Sequence, residues 1–115
     1  MTLRVGPFGY SKGGTIEFGR YGSGEIAMQV YRLGEAEATA TVSLMPYGAP
    51  HPGERGVYLK DWSENEGIVQ ALVDAGIVEL TGEGVSTGYC VADHAILTDE
   101  AWEELVKQEE GRAKI

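Results

Sequence analysis

Two stretches of strict alternation set the first constraint on this chain. Thr15 to Tyr21 places Ile16 and Phe18 on one face and Thr15, Glu17 and Gly19 on the other; Glu25 to Leu33 repeats this with Ile26, Met28 and Val30. Side chains along a strand change face at every residue, so each run can bury one face as a strand but not as a helix. Gly22-Ser23-Gly24 between them supplies a tight turn, and the pair predicts an antiparallel hairpin. Glu37 to Met45 predicts a third strand, with Ala40, Val42 and Leu44 facing one way and Thr39, Thr41 and Ser43 forming a wet face.

The rest of the chain is read against that meander. Leu3 to Val5 is expected as a short strand ended by Gly6-Pro7, and Gly9 to Gly14 as a loop. Pro46 to Gly56 carries three prolines and reads as a long loop, followed by a brief strand from Val57 to Lys60. Ser63 with Glu66 three residues on fits a capping box, with Ile68, Leu72 and Ala75 at helical spacing and Gly76 as the stop. Gly67 inside that helix suggests a close backbone approach by the long loop. Ile77 to Leu80 reads as a strand, Thr81 to Gly84 as a turn and Val85 to Leu97 as one or two strands. Thr98 then caps a last helix to about Gln108, buried through Trp102, Leu105 and Val106, and 109–115 is expected to fray. The expected fold class is α+β: one domain over 1–115, with an antiparallel sheet of five or six strands and two helices packed on one face.

Composition narrows the function classes. The 115 residues carry 18 acids against 9 Lys and Arg, a net charge of −9. Residues 1–34 are net +2, whereas residues 61–110 hold thirteen acids and one base, Lys107. Direct binding to nucleic acid or to an anionic membrane needs a basic footprint, so neither is expected. No run of 18 apolar residues is present, and Met-Thr-Leu-Arg is not expected to open a signal peptide. A single cysteine rules out an internal disulfide framework and fits a cytoplasmic location.

No arrangement of residues declares a reaction. Asp61-Trp62-Ser63-Glu64-Asn65-Glu66-Gly67 is the densest polar cluster, but a helix start wants the same residues. Cys90 and His94 on one strand lie roughly 13 Å apart at about 3.3 Å per residue, too far for a nucleophile and base. Cys90 is expected to be buried, His94 to be a surface or satisfied polar residue and His51 to shape its loop. The glycines of Gly82 to Gly88 and of Lys12-Gly13-Gly14-Thr15 have the wrong spacing for phosphate binding. The expectation is a non-enzyme with no cofactor and no metal.

Gly56 to Val78 resembles a small family of unknown function from bacteria, phages and mobile elements that carries an aromatic-Ser-Glu-Asn-Glu-Gly motif, here Trp62 to Gly67. The resemblance covers about a fifth of the chain and implies an accessory protein of mobile DNA. In size, charge and lack of chemistry the chain looks most like anti-CRISPR proteins. Such a viral protein inhibits by protein–protein interaction: the acidic domain offers carboxylates where phosphates would sit in a Lys/Arg-lined channel. The expected partner is the basic surface of a host nucleic-acid-binding protein or effector complex, met by a monomer or homodimer. The expected contact residues are Asp61, Trp62, Glu64 and Glu66 at the helix start, with Trp62 as apolar anchor, and Asp99, Glu100, Glu103 and Glu104 on the last helix. The alternatives are a phage structural or assembly protein, or a small metal-dependent enzyme using Asp61, Glu64, Glu66 and His94.

Overall fold

The structure, a computed structural model, describes residues 2–3, 14–32, 35–62, 65, 67–88 and 90–113. Strands β2 (Gly14–Arg20), β3 (Ile26–Arg32) and β4 (Glu35–Thr39) form an antiparallel meander, and the two-residue β1 (Thr2–Leu3) joins its outer edge. The predicted hairpin is there: Ile16 faces Val30 and Phe18 faces Met28, all four buried. A second antiparallel sheet contains β5 (Gly56–Leu59), β6 (Val78–Ser86) and β7 (Val91–Leu97) in the order β5-β7-β6. Two α-helices, α1 (Ile68–Asp74) and α2 (Asp99–Ala113), and a 3-10 turn at Met45–Tyr47 are the helical elements among the described residues.

The class is therefore α+β, but the single sheet expected from the pattern is two sheets. The division falls inside the predicted third strand. Through Thr39 it pairs with β3; at Ala40 it leaves, and Thr41 and Val42 pair with β5 instead. Ala40 donates to the Met28 carbonyl at 2.8 Å, while Lys60 donates to the Ala40 carbonyl at 2.8 Å, so one residue belongs to both sheets. Thr41, expected on a wet face, is buried: its Oγ1 accepts the Met28 N–H at 3.1 Å, replacing the ladder bond that β4 gives up by turning away. Alternation continues through this switch, which is why the pattern alone reads as one strand. Leu44 and Val42 end in a different apolar cluster from Ala40.

The main core lies between the sheets and helices, with Phe18, Met28, Leu59, Ile68, Leu72, Ile77 and Leu105 all nearly inaccessible. Each such side chain contributes about 1.5–3 kcal/mol by leaving water. Directly opposed residues of an antiparallel pair share a face. Val57, Leu59, Ala95 and Leu97 therefore point into this core, and Tyr58 and Ala92 point to the other side of the β5-β7-β6 sheet. There they meet Leu44, with Val42, Ala49, Trp62 and Val85 around them.

Two further expectations are corrected at element ends. β6 runs through the predicted Thr81–Gly84 turn, absorbing it as a register shift against β7 between Leu80 and Gly84. Helix α2 continues to Ala113 where the chain was expected to fray, because its last turns are tied to β2. Gln108 accepts the Phe18 N–H at 2.8 Å and donates to the Ile16 carbonyl at 3.0 Å, Arg112 donates to the Phe18 carbonyl, and Arg20 pairs with Glu109 at 3.2 Å. Helix side chains thus cover a strand edge beyond the reach of β1. Among the described residues no helix is long and apolar enough to cross a membrane.

Candidate functional site

The polar motif before α1 is first a piece of local construction. Asp61 Oδ1 accepts the N–H groups of Gly67 (2.9 Å) and Val69 (3.2 Å), so Asp61 holds two of the first N–H groups of the helix. The helix begins at Ile68, later than predicted, because Gly67 adopts φ 91°, a left-handed conformation that suits glycine and needs no close approach by the loop. Asn65 is buried, donating to the carbonyls of Thr39 (2.6 Å) and Lys60 (3.2 Å), which flank the point where the chain changes sheets. Trp62 is half-buried in the second cluster. Ser63, Glu64 and Glu66 lie outside the described residues.

The acids of α2 divide by direction. Asp99, Glu100 and Glu103 are exposed on the outward stripe, with Lys107 one turn beyond Glu103. Glu104 turns the other way, half-buried, and accepts from Gln108 at 3.3 Å; that hydrogen bond holds its carboxyl below the usual range against the opposing effect of burial. Trp62 and the outward acids are not brought together: Trp62 walls one cleft with Val42 and Val85, whereas Asp99 and Glu100 line another with Glu79.

What the fold does assemble is a groove at the start of α2. Val78 pairs with Leu97 and Glu79 with Ile96, so the end of the β6-β7 ladder sets Glu79 beside the first turn of α2. Thr98 fixes that junction by donating to the Gly76 carbonyl at 2.6 Å and accepting the Ala101 N–H at 3.3 Å, the helix cap expected of it. The groove, about 570 Å³, is lined by Glu79, Asp99 and Glu100 with exposed Ile96 and by Arg55. Arg55 pairs with Asp99 at 2.7 Å and lies over the Trp102 ring at 5.1 Å. One cation thus faces three carboxylates, and an aliphatic surface lies beside them. Sequence reading did not place Glu79, Ile96 and Arg55 beside the start of α2. Each is remote from α2 along the chain, and only the strand register places them there.

Two other polar systems are structural. Glu25 is buried, and its carboxylate accepts from the Ser23 and Ser43 hydroxyls (2.7 Å each) and from the N–H groups of Leu44 and Met45 (3.2 Å each). Burial pushes this carboxyl up, but the four hydrogen bonds outweigh burial and hold it below its ordinary value. His94 bonds through Nε2 to the Pro52 carbonyl at 2.7 Å and through Nδ1 to Thr81 Oγ1 at 2.8 Å. A carbonyl can only accept, so the Nε2 proton is fixed and His94 pins the proline loop to the sheet. That loop comes so close that a Cβ on Gly56 would sit 1.8 Å from the Pro52 oxygen. Cys90, expected buried, is half-buried, and its carbonyl accepts the Thr87 N–H at 2.8 Å. His51 shapes its loop as expected, accepting the Gly53 N–H at 2.9 Å. Among the described residues no group of three His, Cys, Asp or Glu side chains is placed to hold a metal ion.

Comparison with family models, with curated proteins and with solved structures found no match to this chain.

Proposed function

We propose that this chain is a small protein-binding inhibitor that receives a Lys/Arg-rich surface of a nucleic-acid-handling protein, in its narrowest form an anti-CRISPR-type factor of a phage or mobile element. The observation that carries this reading is the groove at the start of α2, where Glu79 from one strand joins Asp99 and Glu100 around Ile96. A lysine or arginine entering it meets carboxylates for its charged head and an aliphatic surface for its stem. It competes with Arg55 for Asp99, and Glu103 extends the acidic stripe by one helical turn. Three exposed carboxylates present the charge pattern of a phosphate run, so the protein occupies a cationic channel and associates quickly at low salt. Asp61 and Trp62 support the fold in this reading and are not the principal contacts.

The test is affinity capture by the tagged protein from nuclease-treated bacterial lysate over a salt gradient, beside a Glu100→Lys/Glu103→Lys variant with an unchanged melting curve. The expected result is a basic nucleic-acid-handling complex that elutes as salt rises and is lost with the variant. Capture undiminished by the double substitution, or no captured partner, overturns the reading.

A further inference from the structure

The edge of β6 carries a second contact surface. Among the described residues this strand stands at the margin of its sheet with β7 on one side, so alternate N–H and C=O groups face outward. The register shift between Leu80 and Gly84 limits continuous pairing to the stretch Gly84–Ser86. Beside that stretch opens an apolar cleft of about 430 Å³, walled by Val42, Leu44, Tyr47, Ala49, Trp62 and Val85. Tyr47, in the 3-10 turn Met45–Tyr47, stands at its rim with 86% of its surface exposed. The other large apolar side chains exposed among the described residues, Leu80, Val91 and Ile96, all lie on the β6-β7 hairpin.

Charge selects the occupant. Glu79 and Glu83 are exposed on the same strand. Glu83 stands two residues before Val85, which walls the cleft. A second copy of β6 would bring like charges against these acids, whereas a basic segment would answer them. A residue opposite Val85 on an added strand has its Cβ about 5 Å away on the same face, which puts its side chain at the cleft.

We propose that the Gly84–Ser86 edge of β6 accepts an extended segment of a protein partner as an added strand, seating one aliphatic or aromatic side chain in the Tyr47–Trp62 cleft and setting a Lys or Arg beside Glu83. Main-chain hydrogen bonds supply affinity, and the cleft and Glu83 select the sequence. This contact is separate from the α2 groove and rests on the reading above only for the basic character of the partner.

The probe is the capped synthetic peptide Thr-Lys-Thr-Leu-Thr-Lys-Thr, titrated into ¹⁵N-labelled full-length protein. Amide shifts are expected at Gly84 to Thr87, with a shift of the Trp62 indole. Tyr47→Ala, which removes an exposed side chain and leaves the core alone, should weaken binding by roughly tenfold. A peptide with proline in place of the threonines flanking leucine, which lacks the donors a strand needs, should not bind. Glu100→Lys/Glu103→Lys should leave peptide affinity unchanged, so the two surfaces fail independently. Equal binding of the proline peptide, shifts confined to residues away from β6, or no shift at millimolar peptide each overturns the proposal.

Discussion

A buried carboxylate is the residue on which most of one loop depends. Glu25 joins the β2-β3 turn, through Ser23, to the segment Ser43–Met45. Its folded-state pKa is depressed, so its contribution to stability is fully present above the unfolded value of about 4.3 and is lost as pH falls through the folded one. Wild-type protein should therefore lose unfolding free energy below about pH 4.3 in a way that a Glu25→Gln variant does not share. At neutral pH the amide should cost about 2–4 kcal/mol, because it turns a donor toward groups that are themselves donors. Urea titrations from neutral pH to pH 3 check both, and parallel profiles for the two proteins would remove Glu25 from its role. Residues of this kind are the ones sequence reading misses. Ile16, Phe18 and Met28 announce themselves by alternation with near neighbours. Glu25, Thr41 and Asn65 take their meaning from partners that sequence spacing does not reveal: Ser43, Met28, and the Thr39 and Lys60 carbonyls.

At the scale of elements, α2 does two jobs with two sides. Its outward stripe supplies the groove acids, and its inward side lends β2 the hydrogen bonds of a missing neighbour. Gln108→Leu preserves the helix but strips the Phe18 N–H and Ile16 carbonyl of their partners, which should cost about 1–3 kcal/mol. It also bares a strand edge, and sedimentation velocity should show concentration-dependent self-association absent from the wild type. A Gln108→Leu protein as stable and as monodisperse as the wild type would mean that the edge needs no cover. Local signals revealed that α2 exists: Thr98 at its cap and Trp102, Leu105 and Val106 along its buried side. Its length was hidden, because Gln108 and Arg112 look like surface residues until β2 lies beside them. The start of α1 was misplaced for the opposite reason. Spacing predicts a helix from Ser63, but the positive φ of Gly67 sets the α-helix start at Ile68, and Asp61 reaches Gly67 and Val69 across that turn.

For the whole molecule, the decisive point is where the chain changes sheets. Ala40 bonds Met28 on one side and Lys60 on the other, and Asn65 ties the carbonyls of Thr39 and Lys60 together just beneath. The amides of Met28, Ala40, Val42 and Lys60 should therefore exchange with solvent last, at one common free energy equal to that of global unfolding. Native-state hydrogen exchange resolves this, and two distinct free energies for the two sheets would show them to be separate cooperative units. A hinge at this place would let the β2-β3-β4 meander swing away from the α2 groove and the β6 edge; a rivet would not. The chain is riveted here. A load applied at the α2 groove or at the β6 edge, both on the second sheet, would reach the meander through the hydrogen bonds of Ala40.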